Sequence, residues 1–185
     1  MSERRTQMLE AAVRVIAQDG VRGLRVEKLA AEAGVSTALI YYHFKDRAGI
    51  LRAALEHVNH RAQVYTEPRD GDARQRVEQM LLGELQDTPQ VRETSVAWGE
   101  LRASAVFHPE LREALDAATR AWNDDVAALV READPGVDAS AAAERLTALV
   151  EGLSERWHSG SLPLERAREL LAGAVRQELG ATGSP

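Results

Sequence analysis

The chain has 185 residues, of which 44% are hydrophobic and 4% aromatic, and its formal net charge is −6. It contains no cysteine, which excludes disulfides, thiolate zinc sites and cysteine nucleophiles. No apolar run approaches the roughly 20 residues of a membrane-spanning helix. Because Ala, Leu, Arg and Glu are abundant, we expect an all-α protein of about nine helices that is cytoplasmic, neither exported nor embedded in a membrane.

Charge is distributed unevenly along the chain. Residues 1–50 contain eight Arg or Lys and six Asp or Glu, a net of +2, which leaves −8 for residues 51–185. A basic head on an acidic body favours phosphate contact at the head, because the body repels phosphates. Solubility alone is an equally good explanation for the acidic body.

The first helix is predicted from Glu3 to Asp19, where apolar residues recur at helical spacing. Gly20 is the predicted C′ residue that ends this helix, since glycine adopts a left-handed conformation at no steric cost. Residues 26–51 then contain two short apolar stripes broken at Gly34, which is a helix-turn-helix pattern. Ser36 is the predicted N-cap of the second short helix, Thr37–Phe44.

The motif residues carry a family resemblance. The segments Gly34-Val35-Ser36 and Ile40-Tyr41-Tyr42-His43-Phe44-Lys45 resemble the DNA-binding domain of the TetR family of transcriptional regulators. The resemblance covers about Thr6 to Leu55. Two departures are that Arg25-Val26 replaces a common threonine pair and that Arg47 stands where lysine is usual.

The resemblance implies DNA contacts on and around the second motif helix. In such regulators the first tyrosine and the basic residue opening the fourth helix hold phosphates, which implies this role for Tyr41 and Arg47. Tyr42 and His43 should face base edges, whereas Phe44 should be core. Packing within the head is the alternative for the two tyrosines. The residues predicted to contact DNA are Arg25, Lys28, Ser36, Thr37, Ala38, Tyr41, Tyr42, His43, Lys45 and Arg47.

A long fourth helix, capped by Asp46 and running to about Tyr65, should join the head to the body. Five further apolar stripes complete the predicted helices, and Pro109 is expected to open a long one. We therefore predict a three-helix DNA-binding domain at residues 1–46 and a helical ligand-binding and dimerisation bundle at residues 47–180. The bundle includes the connecting helix 47–65, and residues 181–185 form a disordered tail.

Three tryptophans are the largest apolar residues of the body. Each alone is expected to be core, but together they predict a cavity between helices, and a tryptophan face beside carboxylates suits a cation. The predicted ligand-binding residues are Trp98, Arg102, Trp122, Glu151 and Trp157. Arg102 argues for an anion instead, unless an acid pairs with it. The expected effector is apolar or cationic, and aromatic.

The last two predicted helices have apolar stripes that are wide for one hairpin packed on one body, and small residues interrupt them. We expect them to form a four-helix contact with a second copy of the chain. The predicted dimerisation residues are Leu149, Leu153, Ala167, Leu171 and Ala174.

The resemblance implies a homodimeric regulator, a repressor released from a palindromic operator in double-stranded DNA when a small molecule shifts the fourth helix. The HPEL segment at residues 108–111 and the Leu, Gly and Trp of the penultimate helix also resemble the choline-responsive, BetI-like branch of that family.

The residues alone leave two other functional classes open. One is a helix-turn-helix-shaped module that binds proteins and no DNA. The other is a helical enzyme, for which no G-x-S-x-G, phosphate-binding glycine loop or H-E-x-x-H occurs, so we expect no enzyme and no cofactor. His57 and His60 lie one turn apart but lack a third metal ligand, so no metal site is expected either.

Overall fold

The computed structural model describes residues 3–180, where it contains nine α-helices, one short 3-10 turn and no strand. The helices are α1 (Glu3–Gly23), α2 (Val26–Ala33), α3 (Thr37–Phe44), α4 (Arg47–Thr66), α5 (Ala73–Leu82), α6 (Pro89–Ser104), α7 (Arg112–Ala133), α8 (Ala139–His158) and α9 (Leu164–Glu178). The all-α prediction is confirmed. In this range no helix combines the length and the apolarity that crossing a membrane requires. The predicted tail, residues 181–185, lies outside the described residues.

The helix ends follow local signals in the sequence. Gly20 interrupts α1 with φ 71° and ψ 173°, and Gly34 ends α2 in the left-handed region with φ 65° and ψ 35°. The Ser36 hydroxyl accepts a hydrogen bond from the Leu39 backbone N–H at 3.2 Å, as an N-cap does. The Pro109 prediction needs one correction, because Pro109–Leu111 forms a 3-10 turn and α7 begins only at Arg112.

A tight turn at Lys45 separates α3 from α4. Lys45 has φ 67° and ψ −56°, and the Asp46 N–H donates to the Phe44 carbonyl at 2.8 Å across it. These values define a γ-turn of the strained kind, which non-glycine residues rarely adopt. Asp46 then caps α4, since its Oδ1 accepts from the Gly49 N–H at 2.7 Å.

Within the described range the chain forms two compact units, the first made of residues 3–61 and 93–118 and the second of residues 62–92 and 119–180. This division differs from the predicted break at residue 46. The reason is that Ile50, Leu51 and Leu55 of α4 are buried in the same core as α1 to α3, together with Leu101 of α6. As functional domains, residues 1–46 and 47–180 stay a prediction.

The second unit has its own core. Val77 and Leu81 of α5 pack with Val126 and Val130 of α7, and α8 and α9 supply most of the other buried residues. The apolar stripes predicted for these helices therefore cover an interior, as amphipathic helices do.

Candidate functional site

Helix α3 divides its side chains sharply between core and solvent. Ile40 and Phe44 are buried, as expected for Phe44, whereas Tyr41 is 50% exposed and Tyr42 is 81% exposed. The edge of the His43 ring meets Tyr42 at a centroid distance of 5.2 Å. The tyrosines thus have no core role in this unit, and an aromatic face is left for a partner.

The other predicted DNA contacts surround this face. Ser36, Thr37, Ala38 and Lys45 are exposed. Ser36 already serves as the α3 cap, and its hydroxyl is committed to that hydrogen bond.

Two basic residues at the start of α2 were also predicted to touch phosphates. Arg25 precedes α2 and is exposed, while Lys28 lies within hydrogen-bonding distance of Asp19, at 2.5 Å. An exposed ion pair of this kind is weak enough for a phosphate to replace it. The phosphate-binding roles of both residues stay predictions.

Arg47 has a structural role that the sequence did not reveal. Its guanidinium donates to the Val21 carbonyl at 2.6 Å and to the Leu24 carbonyl at 3.3 Å, so it ties the start of α4 to the end of α1. A cation near free carbonyls at a helix end is favourable. Its predicted role as a phosphate ligand stays a prediction, and any Arg47 variant will also loosen the head.

A second polar cluster joins three helices of the first unit. Arg61 of α4 donates to Glu10 of α1 at 3.1 Å and to Glu93 of α6 at 2.8 Å. Buried His57, one turn before Arg61, shares a 2.8 Å hydrogen bond with Glu10. These partners are 32 to 51 residues apart in sequence, so no local pattern could have indicated them.

Helix α6 has another polar contact with α1. The Glu100 carboxylate accepts a hydrogen bond from the Val21 N–H at 3.1 Å, just after the kink at Gly20. Glu93 and Glu100 are seven residues apart, and so lie on one face of α6. This face of α6 makes its polar contacts with α1 and α4, within the first unit.

The predicted ligand residues divide between the two units. Trp98 packs against the core of the first unit, and the Arg102 guanidinium lies 5.4 Å from its ring centroid. Trp122 and Trp157 belong to the core of the second unit. Arg92 lies 4.6 Å over the Trp157 ring. Two of the three tryptophan rings therefore already carry a cation, and a cavity shared by all three stays a prediction.

Two carboxylates lie close together in the second unit. The pKa of Glu84 is raised from 4.5 to about 7, chiefly by burial and also by the nearby charge of Glu151, although the hydrogen bond that the Tyr65 hydroxyl donates at 3.1 Å lowers it. Sequence analysis found Glu151 and missed Glu84, because a lone glutamate in the turn after α5 has no local signature. The unit thus holds a carboxyl pair that a cation would stabilise.

An open groove of about 790 Å³ lies beside the connection from α4 to α5, with Tyr65, Gln79 and Arg168 in its walls. None of the predicted ligand-binding residues lines this groove.

The predicted dimerisation residues have unequal exposure. Leu153, Ala167 and Leu171 are 3%, 0% and 0% exposed, so they fill the core of their own unit, and their assignment to a partner surface does not fit this burial. Leu149 and Ala174 keep exposed surface. Leu170 is exposed as well, and Gly152 faces open space. We call these four residues, Leu149 and Gly152 of α8 with Leu170 and Ala174 of α9, the exposed strip.

Two family models match the chain. The model of bacterial regulatory proteins of the tetR family matches residues 8–54. The model of the BetI-type transcriptional repressor C-terminal domain matches residues 73–180.

Individual proteins match over nearly the whole chain. The HTH-type transcriptional regulator BetI of Klebsiella pneumoniae is 28% identical, over 95% of this chain and 94% of its own length. A crystal structure described as a TetR-family transcriptional regulator from Rhodococcus sp. is 46% identical with a TM-score of 0.91, over 97% of this chain and all of that one. A regulator from Saccharomonospora viridis, solved in complex with choline, is 27% identical with a TM-score of 0.79, over 95% of this chain and 97% of that one.

Proposed function

Because this chain belongs to the TetR family of transcriptional regulators, with a carboxy-terminal domain of the BetI type, we propose that it is a dimeric repressor that a small organic cation releases from its operator. The family consists of DNA-binding regulators and not of enzymes, which sets aside the enzyme and the protein-only module. A regulator of transcription acts where the chromosome is, and we infer a cytoplasmic location.

The exposed aromatic face of α3 supports DNA binding most directly. Tyr42 is 81% exposed although it lies on an eight-residue helix that is otherwise anchored by Ile40 and Phe44. A helix of this size fits the major groove of B-DNA, and a phenol can meet both base edges and phosphates there. We expect two copies of α3 to read the two halves of a palindromic site.

Replacing Tyr42 with alanine should change which DNA sequences are preferred. A lost base contact costs about 1–3 kcal/mol of discrimination, so the preference at one position in each half-site should fall about fivefold or more. Selection of bound sequences from a random DNA library measures this directly.

Lys45→Gln is the matched control, since it removes a charge next to the same helix. It should weaken all sequences alike and make the slope of log K against log salt shallower by about 0.9 for each lost phosphate contact. The base-reading role of Tyr42 is wrong if its alanine variant weakens all sequences equally.

The second unit has the features of a cation site. Glu84 and Glu151 put two carboxyls near each other, and the Trp157 ring already accepts a guanidinium. The body as a whole carries a net −8. These observations favour a small cation over a phosphorylated or anionic effector. The choline bound to the Saccharomonospora viridis regulator makes choline the first compound to test.

Choline should bind the purified protein and release operator DNA over the same concentration range, and it should bind more tightly at pH 8 than at pH 6. The pH effect follows because the pKa of Glu84 is about 7, so that more of the carboxyl is ionised at pH 8. Calorimetry and a DNA competition assay measure the two quantities.

Glycine betaine is the control ligand, because it has the same quaternary ammonium group plus a carboxylate that the acidic pair repels. If betaine and choline bind equally well, a carboxyl-lined cation site is wrong for this protein.

We also propose that the exposed strip of α8 and α9 forms the dimer contact, carried by Leu149, Leu170 and Ala174. A stable interface buries more than ~1,200 Å², and a charge placed at its centre remains unpaired. Ala174→Glu should therefore give monomers in sedimentation experiments and weaken operator binding, with the helix content retained. Ala103→Glu, on an exposed position of α6, should leave the dimer intact. A dimer that survives Ala174→Glu places the contact elsewhere.

A further inference from the structure

Two adjacent residues of α6 make their long-range contacts in different units. The division between the units falls at the Arg92–Glu93 peptide bond. Arg92 lies over the Trp157 ring in the second unit, at 4.6 Å. Glu93 accepts a hydrogen bond from Arg61 in the first unit, at 2.8 Å. A movement of Arg92 therefore takes place next to Glu93, which belongs to the polar cluster that Arg61 forms in the first unit.

Arg92 covers Trp157 but is itself easily moved. The tryptophan is only 7% exposed, whereas the Arg92 side chain is 46% exposed. Arg92 also pairs with Asp87 at 2.5 Å, and Asp87 is exposed as well. A guanidinium at such a position can leave the ring without being stranded in a dry interior, because Asp87 and water can hold it outside.

The neighbouring imidazole does not supply a competing charge. His158 lies beside Trp157 with a centroid distance of 4.3 Å. Burial, with a further contribution from the positive charge of Arg92, lowers the pKa of His158 to about 4, so this ring is neutral at pH 7. Arg92 is therefore the charged group on this tryptophan among the contacts that the structure describes.

We propose that the Arg92 guanidinium is a built-in occupant of a cation site on Trp157, and that an organic cation regulates this protein by displacing it. The proposal rests on the cationic effector proposed above. Tryptophan is the ring that binds cations best, and quaternary ammonium groups suit it because they carry little hydration. Arg92 would keep the site filled, and the first turn of α6 in place, until the effector arrives.

Displacement has a short route to the head. Thr88 caps the first turn of α6, where its hydroxyl accepts from the Val91 N–H at 3.3 Å, and Arg92 is the next residue. Glu93 follows, held by Arg61, and Arg61 also binds Glu10 of α1. Arg61 is the last residue of α4 in the first unit, and Glu93 is the first residue of α6 in it. Their ion pair therefore holds α4 and α6 together at these two residues.

Arg92→Met should increase choline affinity by about twofold to fivefold, which is the competition expected from one partly exposed cation–π contact. Arg92→Lys should stay close to the wild type, because lysine can take the same place on the ring. Arg156→Met, which removes an exposed charge next to Trp157 in sequence, is the control for the general loss of positive charge. Equal affinity for Arg92→Met and Arg156→Met overturns the proposal.

A second readout does not depend on choline. In a protein with Trp98→Phe and Trp122→Phe, fluorescence comes from Trp157 alone, and N-methylpyridinium serves as a cationic quencher. Quenching should increase severalfold when Arg92 is replaced by methionine and remain low with lysine. If choline binds no variant but the quenching still increases, Arg92 does occupy the cation site on Trp157, and the proposal of a choline-like effector is wrong. Quenching that is unchanged by Arg92→Met overturns the occupant whether or not choline binds.

The route to the head has its own test. Glu93→Gln should leave choline affinity unchanged but reduce the loss of operator affinity that saturating choline causes, since the ion pair with Arg61 is weakened. The quantity to compare is the ratio of operator affinity without choline to operator affinity at saturating choline. A residue with only a structural role would alter stability and operator affinity without altering this ratio. Glu56→Gln, at an exposed position of α4, is the control. An unchanged ratio in Glu93→Gln rules out transmission through this ion pair.

Discussion

Replacing Glu84 with glutamine should raise the free energy of unfolding at pH 8 by about 3 kcal/mol. The pKa of Glu84 rises from 4.5 to about 7 on folding, chiefly because the carboxyl is buried. Each pKa unit corresponds to about 1.4 kcal/mol, so keeping this carboxylate ionised in the folded state costs about 3 kcal/mol. Glutamine has no such cost, and its amide oxygen can still accept the hydrogen bond from Tyr65.

The sign of the effect defines a pH window. Below pH 4.5 the carboxyl is protonated in both states and the cost is absent. Between pH 4.5 and about 7 the folded state holds the proton and the unfolded state has lost it, so stability decreases as pH rises. Urea unfolding at several pH values should show this decrease in the wild type and its loss in Glu84→Gln. Glu155→Gln, at an exposed position of α8, should keep it, and a wild-type stability that rises steadily across the window would contradict the prediction.

Gly49→Ala should destabilise the first unit by about 3 kcal/mol and abolish operator binding. A Cβ on Gly49 would lie 2.0 Å from the Phe44 carbonyl oxygen, which is backbone and cannot rotate away. Overpacking typically costs about 1–3 kcal/mol, and here the clash falls on the turn that joins α3 to α4. Urea unfolding and an operator-binding assay measure the two effects.

Gly173→Ala is the matched control for Gly49→Ala. Gly173 lies inside α9, and a Cβ there would meet only the end of the Arg176 side chain at 3.9 Å. The variant should be more stable than the wild type by about 1 kcal/mol, because alanine is the better helix former. If both alanine variants stabilise the protein, the close approach at Gly49 is wrong.

The features that sequence predicted correctly are those with a local cause. Gly20, Gly34 and Ser36 are recognisable because helix ends need left-handed residues and side-chain acceptors at fixed positions. The apolar period placed Ile40 and Phe44 in the core, and so left Tyr41 and Tyr42 at the surface. The family resemblance then supplied the predicted role of that face in DNA contact, which stays a prediction.

Contacts between distant parts of the chain could not be predicted in this way. Arg47 looked like a phosphate ligand, and no local pattern shows that carbonyls at the end of α1 bind its guanidinium. The same holds for Glu84, whose shifted pKa comes from burial by several helices. Apolar periodicity also identified which face of α9 is apolar without separating Leu171, in the core, from Ala174 at its edge.

The turn at Lys45 bears on how the protein tells one DNA sequence from another. Three short hydrogen bonds surround this turn: Lys45 N–H to Tyr41, Asp46 N–H to Phe44, and Gly49 N–H to Asp46. A strained backbone persists only where its surroundings hold it, so the angle between α3 and α4 is set before DNA arrives. Little conformational entropy is then lost on binding, and a mismatched site cannot be accommodated by tilting α3. Discrimination between sequences comes from rigidity as well as from the side chains that touch the bases.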